Sequence, residues 1–151
     1  MRGSEYVHVI VTASLLLLAA PRVLRGQSLP SPCAPGQSAP VFSDIGATGE
    51  QVDAFLITLK KAVASDDRRK VASLIRYPIA AWTGSKRTVF RTPGALVASY
   101  ELIFTALLQK TIADARTECL FTNSQGAMIH DGEVWFNGFR TGALEIVTIN
   151  K

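Results

Sequence analysis

The sequence predicts an α+β domain in which helices pack against an antiparallel sheet. Apolar residues at helical spacing dominate positions 48–75 and 92–110, whereas short alternating runs separated by turn signals dominate positions 119–149. Helices that precede most of the strands, rather than alternating with them one by one, are typical of this class. Apolar residues make up 48% of the chain and charged residues 19%, which indicates a folded domain rather than a disordered segment.

The first helix is predicted from a capping box. Thr48 is the expected N-cap, and Gln51 is the residue whose side chain returns to the Thr48 backbone. Apolar residues then recur at helical spacing, with polar residues on the other side; they are Val52, Phe55, Leu56, Leu59, Ala62 and Val63. Ser65 or Asp66 is expected to cap a second, short helix, which carries Val71, Leu74 and Ile75.

A β-hairpin and a further helix are predicted next. Tyr77–Trp82 reads as a strand, residues 83–85 as a turn, and Arg87–Arg91 as the returning strand. Thr92-Pro93 then supplies an N-cap and a proline at the first helical position, so one long helix is expected to run to Lys110 or to continue through Ile112. Its apolar stripe contains Leu96, Tyr100, Ile103, Phe104 and Leu107.

The last third of the chain predicts a β-meander. The strand candidates are Cys119–Thr122, Gly126–Ile129, Glu133–Phe136 and Ala143–Ile149. His130-Asp131-Gly132 is a strong turn signal, because Asp-Gly readily supplies the positive φ of a tight hairpin. Glycines at positions 138 and 142 mark the next reversal.

The N-terminus predicts export. Positions 9–20 form a run of 12 apolar or small residues, which is shorter than the ~20 that a membrane-spanning helix needs and typical of a signal-peptide core. We therefore expect a signal peptide over 1–26, a Pro/Ser-rich tether over 27–41 and one domain over 42–151. The alternative is an uncleaved anchor flanked by Arg22 and Arg25. Cleavage would leave a periplasmic or extracellular protein with no membrane span.

The charge pattern argues against nucleic-acid binding. Removing residues 1–26 lowers the formal charge from +4 to +2, because three arginines and one glutamate leave with the leader. The densest run, positions 66–70, mixes acids with bases and therefore forms no basic stripe.

Two cysteines, Cys33 and Cys119, remain after the leader. In an exported chain an even number of cysteines permits a disulfide, which would link the tether covalently to the domain. The alternative is two free thiols with Cys119 buried.

Three segments in this order resemble the nuclear-transport-factor-two-like superfamily, which includes ketosteroid isomerase and SnoaL-like proteins. They are FLITLKKAVASDD, the YPIAAW strand directly after the second helix, and QGAMIHDGEVWF near the C-terminus. The resemblance covers about positions 42–150 and includes small exported bacterial members without an assigned activity. It implies a cone-shaped fold with a curved sheet around the helices and a pocket at the open end. It implies no particular reaction, since this fold hosts enzymes, binding modules and assembly partners.

Metal and nucleophilic chemistry fit the sequence poorly. His130 is the only histidine after the leader, and a zinc site needs three or four suitably spaced ligands. A catalytic triad would need His130 as its base, but a solvated turn residue is the better interpretation. Cys119 as a nucleophile is less favoured than Cys119 in a disulfide or as a small buried residue. No phosphate-binding glycine loop is present, so no metal and no cofactor are predicted.

The remaining enzymatic alternative is a cofactor-free isomerase or lyase of the ketosteroid-isomerase type. Such chemistry needs a carboxylate base in an apolar pocket and a tyrosine or protonated acid as donor. Glu133 and Glu145 are the candidate bases, and Glu145 is the better one because its strand neighbours are apolar. Tyr77 or Tyr100 would be the donor. A solvent-facing Glu145 on an alternating strand is the competing interpretation.

Binding is the favoured function. The candidate pocket-lining residues are Tyr77, Trp82, Tyr100, Asn123 and Trp135. Aromatic side chains with few charges commonly line ligand pockets, although each of these residues also suits plain core packing. The partner would be a small apolar ligand or a protein. A homodimer through the sheet is a further hypothesis, because Trp135 faces one side of its strand while Val134 and Phe136 face the other.

Overall fold

The protein is described by a computed structural model, in which the described residues are Cys33 and 36–151. The predicted leader (1–26) and most of the predicted tether (27–41) lie outside the described residues. None of the helices in the described part of the chain is both long enough and apolar enough to cross a membrane.

The first helices form where the sequence places them. A short 3-10 helix over Phe42–Ile45 precedes α1 (Gly49–Ala64), and Thr48 and Gln51 form the predicted capping box. The expected cap of α2 (Arg68–Ser73) is wrong by one residue. Asp66 takes a left-handed backbone with φ 51°, so the next residue, Asp67, caps α2 by accepting a hydrogen bond from the Lys70 amide at 2.9 Å.

The strands form one six-stranded sheet in the order β2-β1-β6-β5-β4-β3. The strands are β1 (Ile75–Thr83), β2 (Lys86–Phe90), β3 (Phe121–Asn123), β4 (Gly126–Ile129), β5 (Val134–Asn137) and β6 (Glu145–Asn150). The pairs are antiparallel except β1 with β6, which is parallel. The expectation of a wholly antiparallel sheet misses this pair, because the last strand joins the two hairpin units across the middle of the sheet.

The long helix predicted after the hairpin is wrong. The chain forms α3 (Pro93–Ala98), α4 (Tyr100–Ile103) and α5 (Ala106–Asp114) instead. The Phe104 backbone, with ψ 66°, leaves the helical conformation, and the Gln109 side-chain amide donates to the Phe104 carbonyl at 2.7 Å. Thr92 caps α3 as expected. No glycine or proline marks the break near Phe104, so the sequence gives no local signal for it.

The meander is confirmed with shifted boundaries. Residues 117–119 form a 3-10 turn, so β3 begins two residues later than expected. The hairpin between β4 and β5 turns at His130 and Gly132, which have φ values of 54° and 97°. At Gly126 an added Cβ would lie 2.7 Å from the Phe136 carbonyl oxygen, so the close approach of β4 to β5 requires glycine.

The core lies between the helices and one face of the sheet. Residues of this inner face are buried, and the Phe55 ring of α1 lies 4.8 Å from the Phe136 ring of β5. The buried sheet residues include Ile79, Ala81, Phe90, Ala127, Ile129, Val134, Phe136, Ile146 and Ile149. The predicted α+β class is therefore confirmed.

Candidate functional site

A wide groove of about 940 Å³ is the larger of two described cavities. It is lined by Cys33, Gly36 and Gln37 of the segment that precedes the first 3-10 helix, which we call the lead-in, and by residues from α5, from the connection at 115–121 and from the β4–β5 hairpin. Its residues are Cys33, Gly36, Gln37, Leu107, Lys110, Thr111, Asp114, Ala115, Arg116, Cys119, Leu120, Phe121, Met128, Ile129, His130, Asp131 and Glu133. We call this cavity the groove.

The disulfide between Cys33 and Cys119 forms one wall of the groove. The two Cα atoms lie 5.1 Å apart, so the predicted pairing is present. The Gln37 side-chain amide donates to the Cys119 carbonyl at 2.6 Å, and the Val41 amide donates to the Thr122 hydroxyl at 2.9 Å. The lead-in is therefore held against the domain by a covalent bond and by two hydrogen bonds.

Apolar side chains line much of the groove. Leu107 is 76% exposed and Phe121 is 43% exposed, so both side chains present apolar surface in the groove. Met128 is the cross-strand partner of Phe121, and Leu120 and Ile129 are buried behind this surface. An apolar ligand in the groove would cover the exposed parts of Leu107 and Phe121.

Charged side chains of both signs surround this apolar surface. Lys110 and Asp114 form an ion pair one helical turn apart, and the hydrogen bond from the Lys110 ammonium lowers the pKa of Asp114 below its ordinary value. Arg116 and Asp131 also line the groove. The lining thus carries two permanent cations against three carboxylates, including that of Glu133.

His130 and Glu133 form a hydrogen-bonded pair in the groove lining. Nδ1 of His130 lies 3.0 Å from Oε1 of Glu133, while Asp131 lies 3.5 Å from the same nitrogen. A carboxylate at Nδ1 favours the proton there, which leaves Nε2 of neutral His130 as an acceptor. Oε2 of Glu133 is buried without a hydrogen-bond partner among the described residues. The sequence-based interpretation of His130 as an exposed turn residue agrees with its side chain, which is 61% exposed.

The predicted pocket-lining residues are dispersed. The Tyr77 hydroxyl donates to the Ala72 carbonyl at 3.1 Å, and burial raises the pKa of Tyr77 to about 12. Trp82 lies beneath the Arg87 guanidinium, 5.8 Å from its ring centre. Asn123 accepts a hydrogen bond from the Gln125 amide in the β3–β4 turn. Trp135 lies on β5 opposite Met128. None of these four residues lines either described cavity.

Glu145 and Tyr100, which the isomerase alternative assigns as base and donor, lie in different surroundings. Glu145 accepts a hydrogen bond from Arg76 at 2.9 Å, and the same guanidinium donates to Asn137. Tyr100 is buried in the helical layer, where its ring stacks on Phe104 at 4.5 Å. Its hydroxyl has no partner within the described residues, and burial raises the pKa of Tyr100 to about 12.

The second described cavity is smaller, about 210 Å³. It lies between α1 and residues 115–118, where Lys60 donates to the Ala115 carbonyl and Thr117 to Asp53. Three of its polar side chains, those of Asp53, Lys60 and Thr117, are therefore already hydrogen-bonded. Across the described residues, no group of three His, Cys, Asp or Glu side chains is placed to hold a metal ion.

Sequence reasoning did not find most residues of the groove. Leu107 is assigned to a core stripe by its spacing, and Phe121 and Met128 show only strand alternation. Their convergence depends on the helix break, which no local pattern reveals, and on the Cys33–Cys119 disulfide, which the cysteine count permits without requiring. Comparisons with models of protein families, with curated proteins and with solved structures find no match to this chain.

Proposed function

We propose that this protein is an exported, non-catalytic binding domain whose groove holds a small, mainly apolar ligand that carries a hydroxyl group. The groove is the observation that carries the proposal. Its volume of about 940 Å³ lies in the range of roughly 300–1,000 Å³ that ligand pockets occupy. Its exposed Leu107 and Phe121 side chains gain burial when such a ligand binds.

The polar groups favour a hydroxyl over a carboxylate. Nε2 of His130 is an acceptor when Nδ1 donates to Glu133, and Oε2 of Glu133 lacks a donor. Carboxylates outnumber permanent cations in the lining, so an anionic ligand would meet net repulsion. A hydroxyl supplies the missing donor without adding charge.

Two further features support the proposed location and ancestry. A disulfide is typical of oxidising compartments and rare in the cytosol, which supports export. The order of helices, hairpin, helices and meander supports membership of the nuclear-transport-factor-two-like superfamily as part of this proposal.

Mass spectrometry of small molecules released from the natively purified protein tests the proposal. We expect hydroxyl-bearing apolar compounds to be released from the wild type and to be depleted at least about tenfold in Leu107→Asp, because the new carboxylate lies in the apolar lining. Leu102→Asp is the matched control: Leu102 is a leucine of similar exposure, 69%, on α4 and outside the groove. Equal loss in both variants, or no released compound from the wild type, would contradict the proposal.

A further inference from the structure

The strand β2 forms an open edge of the sheet. It lies at one end of the strand order, whereas β3 and the groove lie at the other end. The strand pairs with β1 on one side, and its backbone makes no hydrogen bond to any described residue on the other side. An open edge presents N–H and C=O groups to which another extended chain can add.

The turn before β2 decides which residues offer these groups. The two-residue loop at 84–85 begins with a glycine at φ 58°, as a tight hairpin turn requires. The residues that flank such a loop, Thr83 and Lys86, form a hydrogen-bonded pair. Bonded and non-bonded pairs alternate along an antiparallel ladder. Arg87 and Val89 therefore belong to non-bonded pairs, and their N–H and C=O groups point away from β1.

The edge is basic. Lys86 and Arg87 lie in β2, Arg91 directly follows it, and all three residues are exposed. None of them forms an ion pair with a carboxylate of the described residues. The sequence contains no acidic residue between Asp67 and Glu101. These cations therefore lack local counter-charges, and their field favours a negatively charged partner.

The same charges disfavour a second β2 as the added strand. Pairing two β2 strands would bring the three cations of each copy together without a carboxylate between them, which is repulsive. The edge also has an apolar position, because Val89 is 40% exposed and its side chain lies on the same face as that of Arg87. A partner that fits the edge therefore has an extended backbone, a carboxylate and an apolar side chain.

We propose that β2 binds an extended acidic segment of another protein, which adds to the six-stranded sheet as an antiparallel strand. The antiparallel direction is chosen because this pairing is the more stable per residue. The partner residue opposite Arg87 carries a carboxylate, and the one opposite Val89 carries an apolar side chain. Each of these two partner residues exchanges a pair of main-chain hydrogen bonds with β2. The proposal concerns the edge alone and does not rest on the function of the groove.

Fluorescence anisotropy with a labelled synthetic peptide, TETVTETVT with both ends blocked, tests this proposal. We expect saturable binding to the wild type with a Kd of about 100 µM or tighter. Arg87→Glu should weaken binding at least about tenfold, because it places like charges together. Arg69→Glu, at an exposed position of α2, is the matched control for net charge and should bind as the wild type does. The same peptide with lysine in place of glutamate should bind at least about tenfold more weakly.

Two N-methylated peptides separate strand addition from charge attraction alone. Methyl groups on the glutamate and valine amides should abolish binding, because these amides face β2 in the proposed pairing. Methyl groups on the intervening threonine amides should leave binding intact. Val89→Pro removes an outward N–H of the edge and should also weaken binding at least about tenfold. Its circular dichroism and urea midpoint check its fold, whereas the peptide comparison uses the wild type and needs no variant.

Several results would overturn the proposal. They are no saturable binding of the unmethylated peptide at about 1 mM, equal binding by Arg87→Glu and Arg69→Glu, and equal binding of the two methylated peptides. An oligonucleotide that binds the wild type and Val89→Pro equally well, and displaces the peptide, would identify the edge as a general anion site and would also overturn it. The groove lies at the other end of the sheet, so none of these results changes the expected release of its ligand.

Discussion

Removal of the disulfide should destabilise the domain by several kcal/mol. Cys33 and Cys119 are separated by 86 residues, and the chain-entropy relation gives roughly 4.5 kcal/mol for a loop of this length. A domain of this size has a total unfolding free energy of only about 5–15 kcal/mol. Even half of the calculated effect would therefore shift the denaturation midpoint by an easily measured amount.

Urea unfolding followed by tryptophan fluorescence measures this effect. Cys33→Ser, Cys119→Ser and the reduced wild type should lose similar amounts of unfolding free energy, because each lacks the same cross-link. Any excess loss in Cys119→Ser reports the packing of its side chain. Coinciding midpoints for the oxidised and reduced wild type would contradict this prediction, since they would mean that the cross-link does not restrain the unfolded chain or is not formed.

Four further predictions concern the stability of the domain. Arg76→Ala should lower the unfolding free energy by about 2–4 kcal/mol, because it leaves Glu145 without its ion-pair partner and removes a hydrogen bond to the buried Asn137 side chain. Urea unfolding measures this loss. A loss below about 0.5 kcal/mol would contradict a stabilising role of the partly buried pair. Tyr100→Phe should raise the unfolding free energy by about 1 kcal/mol, because it removes a buried hydroxyl with no partner among the described residues; destabilisation would show that the hydroxyl is satisfied. Burial raises the pKa of Tyr77 and of Tyr100 from 10.0 to about 12, so the unfolded chain loses these two protons at a lower pH than the folded domain does. The unfolding free energy is therefore unaffected by their ionisation below pH 10 and falls as the pH rises towards 12. Thermal unfolding in this window should show a falling midpoint, with a shallower fall in Tyr100→Phe. Thr48→Ala should lower the unfolding free energy by about 1 kcal/mol by removing the capping box, and an unchanged urea midpoint would contradict a role of the cap in stability.

Local patterns in the sequence were sufficient for the parts of the fold that are built locally. The capping box at Thr48, the hairpin after Tyr77 and the turn at His130 each depend on residues within a few positions of one another. Which residues after Pro93 face the core could not be predicted in this way. Leu107 and Leu108 are both compatible with the apolar stripe, and only the break near Phe104 decides that Leu108 is buried and Leu107 exposed.

The candidate site could not be predicted from local patterns because it is assembled from distant segments. The lead-in at Cys33, the helix α5 and the β4–β5 hairpin meet only after the disulfide and the sheet have formed. The parallel pairing of β1 with β6 likewise joins residues about 70 positions apart. Aromatic content indicated a binding domain, but none of the aromatic residues it favoured lines the groove, which uses Leu107, Phe121 and Met128 instead.

Titration of the isotope-labelled protein with 1-octanol, followed by amide chemical shifts in ¹H–¹⁵N spectra, tests the groove most directly. We expect saturable shifts at Leu107, Phe121, Met128, His130 and Glu133, together with weaker binding of octanoate. Binding should be lost in Leu107→Asp and retained in Leu102→Asp. Three outcomes would contradict a groove that binds an apolar ligand with a hydroxyl group. The shifts could fail to saturate, they could cluster away from these residues, or they could be larger with octanoate.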